Sequence, residues 1–87
     1  MYYTYILASL RDNSYYVGST SEIYQRLNYH NAGRSRYTKL KLPWNLIYFE
    51  KFSSLSLARK REKIIKSWKS RKAIENLIHS KALSSSG

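Results

Sequence analysis

The chain has 87 residues, 43% hydrophobic and 24% charged, enough for one hydrophobic core and too few for two domains. Sixteen Lys and Arg against five Asp and Glu leave a net charge of +11 at pH 7, which makes a polyanion the leading partner. The lack of cysteine excludes disulfide staples, thiolate metal sites and cysteine nucleophiles, and no wide-faced amphipathic basic helix or lipidation signal points to a membrane.

Met1 to Leu10 is apolar but has no basic leader and runs into Arg11-Asp12-Asn13, unlike a signal peptide or a membrane span. The expected location is therefore cytoplasmic. Tyr2 to Ala8 and Tyr15 to Ser19 carry β-branched and aromatic side chains and flank a turn-like Arg11-Asp12-Asn13-Ser14, which predicts a β-hairpin. Tyr3, Tyr5 and Leu7 share one face of the first strand, and Tyr16 and Gly18 one face of the second. The register decides whether the two faces coincide. Nine of the residues are Tyr, and for most of them the plain role of a strand residue with a polar tip suffices.

Ser19-Thr20-Ser21-Glu22 fits a capping box, with Ser19 as N-cap and Glu22 three positions on, so a helix is expected to start there. Ile23 and Leu27 form its apolar side, while Arg26 and His30 project together one turn apart. Gly33 is the expected left-handed terminator. Residues 34 to 42 are basic and aperiodic, which reads as a mobile, phosphate-facing connection. Trp44 to Phe49 is apolar on both faces and reads as a central strand. Ser53 or Ser54 then caps a second helix to about Trp68, with Ala58, Ile64, Ile65 and Trp68 on its apolar arc and Glu62 at the edge of that arc. A break at Ser67 to Ser70 precedes a short helix from Arg71 to His79 whose core stripe is Ala73, Ile74, Leu77 and Ile78. The expected domain is 2–79, with 80–87 a flexible Ser-rich tail.

Arg59 to Lys72 holds eight Lys and Arg against the single acid Glu62. A solvated helix face would explain the charge, as would a nucleic-acid backbone, where each neutralised phosphate releases counterions. Glu62 reads either as a salt-bridge partner of Arg59, Lys66 or Arg26, or as a ligand for a hard divalent cation. Arg26 and His30 place a phosphate-binding fork beside a group that titrates near neutrality. His79 has no chemical neighbours and is assigned no role.

Tyr3-Thr4-Tyr5, Tyr16-Val17-Gly18, Arg26, His30 and Glu62 together resemble the motif set of GIY-YIG endonucleases, in the family's order and at about its spacing. The Ser-Thr pair after Gly18, the Asn31-Ala32-Gly33 turn, Pro43-Trp44 and Lys66-Ser67-Trp68-Lys69 are similar to the small stand-alone branch. The resemblance covers roughly Tyr2 to Ile78. It implies that Tyr16 activates the attacking water or acts through its phenolate, Tyr5 helps to position that water, Arg26 holds the scissile phosphate, His30 assists proton transfer and Glu62 is the sole protein ligand of Mg²⁺ or Mn²⁺. Gly18 would let the backbone pass close to substrate, with Ser19, Arg34, Arg36, Lys39, Lys66 and Lys69 as further substrate contacts. Ser19 stands where some members have lysine, and Asn76 does not align with the family's late asparagine.

The expectation is an α/β fold, β-β-α-β-α-α, with a three-stranded mainly antiparallel sheet flanked by helices. The expected activity is metal-dependent hydrolysis of DNA with weak sequence specificity or structure specificity, in repair, recombination or degradation. Two alternatives stand beside it: a non-catalytic nucleic-acid-binding module, with RNA as a further ligand, and a nuclease subunit that needs a protein partner for activity or specificity.

Overall fold

The computed structural model describes residues 1–86 along the backbone and residues 1–80 with their side chains. Strands β1 (Tyr2–Ser9) and β2 (Tyr15–Thr20) form the expected hairpin, followed by α1 (Ile23–Asn31), a 3-10 turn (Lys39–Lys41), β3 (Trp44–Phe52), α2 (Leu55–Ser67) and α3 (Arg71–Ser86). Asn13 takes a left-handed conformation at φ 63° in the hairpin turn, which its short polar side chain tolerates. The sheet is antiparallel throughout, in the order β2-β1-β3.

That order corrects the reading of the third strand: β1 is central and β3 is an edge. The continuous buried run is Thr4-Tyr5-Ile6-Leu7, whereas β3 leaves Asn45, Phe49 and Lys51 exposed. An aromatic-rich strand that only half-buries its side chains has the same composition as a central one, so composition alone misplaced it. A β-bulge in the β1–β3 pairing between Ile6 and Leu7 puts Leu46 opposite Leu7 and Phe49 opposite Tyr5.

The two faces have different covers. Ile6, Val17, Tyr48 and Ile65 form one core, closed by Trp68 of the α2 end and by Ile74, Leu77 and Ile78 of α3. Tyr5, Leu7 and Trp44 form the other, closed by Ile23 and Leu27 of α1. Three of the four residues of the expected α3 stripe thus pack on this core. Ile64 is not part of the α2 contact surface and stands 43% exposed, because a helix packed on one narrow seam through Ala58 and Ile65 turns position 64 toward solvent.

Ser54 caps α2 by accepting from the Leu57 N–H at 3.2 Å, and Ser70 caps α3 by accepting from Ala73 at 3.2 Å. No such box opens α1. Strand pairing continues through Ser19 and Thr20, opposite Thr4 and Tyr3, so Ser19 belongs to β2 and Glu22 occupies the N-cap position without a side-chain cap. The Thr20 hydroxyl accepts from the Glu22 N–H at 3.1 Å instead. Gly33, at φ 76°, terminates α1 as expected. Asn31 then fastens the end of α1 to β3, accepting from Trp44 N–H at 2.6 Å and donating to its carbonyl at 3.0 Å.

Residues 34 to 42 are more than a mobile link. Ser35 and Thr38 are buried and the 3-10 turn follows directly. The aperiodic pattern hid this because one buried threonine leaves no repeat to detect. At the other end, helical backbone runs past His79 to Ser86. For the tail expected over 80–87, Gly87 and the side chains of 81–86 lie outside the described residues.

Candidate active site

The register answers the question left by the hairpin. Tyr5 faces Gly18 and Leu7 faces Tyr16 across the β1–β2 ladder, and directly opposed residues of an antiparallel pair share a face. Tyr5 and Tyr16 therefore both point to the α1 side, with ring centroids 6.3 Å apart. His30 comes down on them from the last turn of α1, its ring 4.8 Å from that of Tyr16 and its Nε2 3.2 Å from the Tyr5 hydroxyl.

His30 is buried, at 2% exposure, and its other nitrogen is spoken for: Nδ1 lies 2.9 Å from the Thr38 hydroxyl. Thr38 is in turn fixed by the Trp44 indole N–H, which donates to its carbonyl at 2.9 Å. Burial, followed by the charge of Arg26, lowers the His30 pKa and favours neutral imidazole. Burial, reinforced by the neighbouring Tyr16, holds the Tyr5 phenol well above the usual tyrosine range, with Arg26 opposing and Glu62 adding to the rise. With both groups uncharged, the consistent assignment has the Tyr5 O–H donating to Nε2 and Nδ1–H donating to Thr38.

Gly18 turns out to make room inside the protein. A Cβ at this position would stand 2.5 Å from the Tyr5 hydroxyl and 2.6 Å from the ring carbon that bears it. The space that the resemblance reserves for an approaching substrate is taken up by Tyr5.

Arg26 is exposed on α1, its guanidinium 5.0 Å above the Tyr29 ring, which leaves its donors available to an anion. Glu62 reaches the same corner from the opposite face of the sheet. Its half-buried carboxylate accepts from the Ser19 hydroxyl at the end of β2 and from Lys66 Nζ at 2.5 Å. Of the five residues expected in the site, Tyr5, Tyr16 and His30 are in direct contact, Arg26 stands beside them over the Tyr29 ring that meets His30, and Glu62 is held by Ser19, the neighbour of Gly18.

The expected substrate contacts divide. Ser19 and Lys66 touch Glu62, and Gly18 touches Tyr5. Arg34 lines a hollow shared with Tyr29. Arg36 and Lys39 are exposed on either side of Thr38, and Lys69 stands at a left-handed turn after α2, at φ 48°. Thr38 and Trp44 were missed as parts of the site. Only the contact of Thr38 with His30, of Trp44 with Tyr16 and of the two with each other distinguishes them, and neither spacing nor composition carries that signal.

A single carboxylate is a sparse metal site, and among the described residues no three His, Asp or Glu side chains gather to hold an ion. A lone half-buried carboxylate still suits a hard divalent cation that keeps its waters and takes phosphate oxygens from a substrate. Lys66 would have to give up its contact with Glu62. A second acidic centre lies elsewhere: Glu50 accepts from Arg61 Nε at 3.0 Å and from Arg61 Nη2 at 3.1 Å, and also from the Tyr48 hydroxyl. Paired in this forked way it ties β3 to α2, a structural duty.

Comparison with known proteins fits this geometry. The family model of the GIY-YIG catalytic domain matches residues 1–76. A protein of Streptococcus pneumoniae (strain TIGR4), designated UPF0213 protein, is 42% identical over 65 residues, 74% of this chain and 65% of that protein. The UPF0213 protein SH2523 of Staphylococcus haemolyticus is 44% identical over 68 residues, 77% of this chain and 82% of that protein. The chain thus spans just under two thirds of the first relative's length. Among solved structures, the solution NMR structure of the UPF0213 protein BH0048 from Bacillus halodurans superposes with a TM-score of 0.59 at 32% identity, covering 93% of this chain and 86% of that one.

Proposed function

The chain belongs to the GIY-YIG nuclease family, and from that premise we propose that it is a divalent-metal-dependent endonuclease hydrolysing DNA phosphodiester bonds, with structure specificity or low sequence specificity. The observation that carries this reading is the contact of Tyr5, Tyr16 and His30 on one face of the hairpin, with Arg26 beside them over Tyr29 and Glu62 around the edge of β2. A module that only bound nucleic acid would need the positive charge and nothing of this arrangement.

In the proposed reaction Arg26 holds the scissile phosphate and stabilises the charge that develops on its oxygens. Water attacks phosphorus as the bond to the leaving oxygen breaks; Tyr16, acting as phenolate, takes the water's proton, and the leaving oxygen takes one from solvent to depart as an alcohol. Tyr5 keeps its proton and positions the reacting groups, while neutral His30 assists proton transfer. Glu62 would hold Mg²⁺ or Mn²⁺. When bound, the ion supplies Lewis-acid stabilisation of the leaving oxygen and lowers the pKa of nearby hydroxyls. Arg34, Arg36, Lys39 and Lys69 would follow the DNA backbone, and repair, recombination or degradation of DNA would use such an activity. Among the described residues no helix is long and apolar enough to cross a membrane.

The test is incubation of the purified protein with supercoiled, single-stranded and branched DNA, with Mg²⁺, Mn²⁺ or chelator, alongside Tyr16→Phe and Glu62→Ala. Cleavage that needs metal and is lost in both variants is the expected result. Cleavage that survives both substitutions would overturn the assignment, and DNA binding without cleavage under every condition would replace it with the non-catalytic module or the partner-dependent subunit.

A further inference from the structure

Beside the proposed site the surface carries an apolar hollow that the cleavage reaction does not use. Tyr3, Leu46 and Phe49 of the sheet form its floor, with Tyr3 and Phe49 edge to face at 5.8 Å, and Ile23 and Tyr24 from the start of α1 form its wall. Glu22 and Lys51 stand at its rim, and among the described residues neither makes an ion pair. Tyr24 is 76% exposed and Phe49 39%, so two aromatic rings stand open to solvent on the same hollow.

The hollow is not isolated. Ser21 and Glu22 line both it and the next depression, which contains Arg26 and Tyr29. Gln25 and Tyr29 in turn line both that depression and a third, which ends at Arg34. Three linked hollows therefore run around the exposed side of α1: one aromatic, one holding the guanidinium proposed to grip the scissile phosphate, and one basic.

An aromatic platform in series with cationic pockets matches the alternation of base and phosphate along an unpaired strand. The carboxylate at the rim sharpens the match. Glu22 stands on the ridge between the two depressions, where it disfavours phosphate in the aromatic hollow and leaves it to the Arg26 guanidinium, while accepting hydrogen bonds well from an exocyclic amino group such as cytosine N4. We propose that this hollow receives one unpaired nucleobase bearing an exocyclic amino group, from the nucleotide flanking the phosphate held by Arg26. The inference rests on the nuclease reading for its substrate and names its class: DNA with unpaired nucleotides at the cleavage point.

Binding in the presence of chelator tests this without cleavage. Fluorescence anisotropy would compare a single-stranded oligo-dC, an oligo-dT and a blunt duplex on wild type, Tyr24→Ala, Phe49→Ala, Glu22→Gln and Leu57→Ala, with thermal melts to confirm folding. Loss of one stacked base should weaken single-strand binding by about tenfold in Tyr24→Ala and Phe49→Ala while duplex binding stays within about twofold. Leu57→Ala, on α2, should bind as wild type, and Glu22→Gln should erase a severalfold preference for dC over dT. Tyr24→Ala leaves the core alone, so it decides the matter if Phe49→Ala misfolds. Equal weakening of duplex and single strand, or no weakening, overturns the proposal. So does a wild-type dimer in sedimentation that Tyr24→Ala dissociates, since the hollow would then be an interface between copies. If Tyr24-dependent binding holds while no DNA is cut, the hollow stands and the nuclease reading falls.

Discussion

Gly18→Ala isolates the closest contact in the site. The backbone at Gly18 is not in the left-handed region, unlike that of Gly33 at φ 76°, so alanine meets no conformational objection there. On entropy grounds the change should even stabilise by about 0.4–1 kcal/mol through the unfolded chain. The contact reverses the sign. The new methyl would lie 2.5 Å from the Tyr5 hydroxyl and 2.6 Å from the ring carbon beneath it, and Tyr5 cannot swing aside, being 3% exposed and packed with Leu7 and Trp44. Overpacking costs roughly 1–3 kcal/mol, and forcing the phenol off His30 adds about 1–3 kcal/mol for a buried polar group without its partner. Allowing for relaxation, a net loss of about 2–4 kcal/mol is expected, or roughly 10–25 °C in Tm for a domain of this size. Calorimetric or circular-dichroism melting reads it directly. Tyr5→Leu removes the ring, so the alanine penalty should shrink in that background and the double-mutant cycle should give a favourable coupling. A Gly18→Ala protein melting within about 2 °C of wild type would refute the packing argument.

The other expectations test separate parts of the same corner. Thr38→Val should remove the acceptor of His30 Nδ1–H, cost about 1–3 kcal/mol and change the ring-nitrogen chemical shifts of His30 in ¹⁵N NMR, whereas Thr38→Ser should restore both; unchanged shifts in the valine variant would show that Thr38 does not set the tautomer. Because His30 is buried with a lowered pKa, the unfolded chain binds its proton first: its contribution to stability is complete above the unfolded value of about 6.5 and declines as the pH falls below it. Chemical denaturation from pH 8 to 5 should show that decline and His30→Asn should flatten it. Asp12, held down to about 2 chiefly by its hydrogen bond with Ser14, titrates in a separate, more acidic window. Arg61→Ala should cost about 2–3 kcal/mol in a denaturant titration by leaving Glu50 without its forked partner, and Arg61→Lys should recover only part of it.

The legible part of the fold was whatever repeats or punctuates. The hairpin, the Gly33 stop, the Ser54 cap and the α3 stripe all follow from local pattern and turn chemistry. Strand order was not legible, because β1 and β3 are alike in composition and differ only in what packs on either side. The start of α1 was misread for a similar reason: Ser19 to Glu22 satisfies the letters of a capping box, yet cross-strand pairing claims Ser19 and Thr20 first. In the site, Arg26, His30 and Glu62 were visible through helical spacing or an isolated charge. Thr38 and Trp44 were invisible, since a buried threonine in an aperiodic loop is defined by a partner that folding supplies.

The end of β2 explains why so small a chain can assemble five such residues. An edge strand presents consecutive residues to opposite faces of the sheet, and here Gly18 turns toward Tyr5 on the α1 side while Ser19 turns toward Glu62 on the α2 side. The tyrosine cluster and the carboxylate thus belong to different cores and meet only where β2 ends and no further strand separates them. A central strand in that place would have put a wall of backbone between them. Had β2 continued for two more pairs, Arg26 at the start of α1 would have been carried away from Tyr5. The short edge strand, the uncapped entry into α1 and the small residues Gly18 and Ser19 are therefore one requirement of the proposed site: the sheet must stop beside it, and it must stop with side chains small enough to let both faces reach around it.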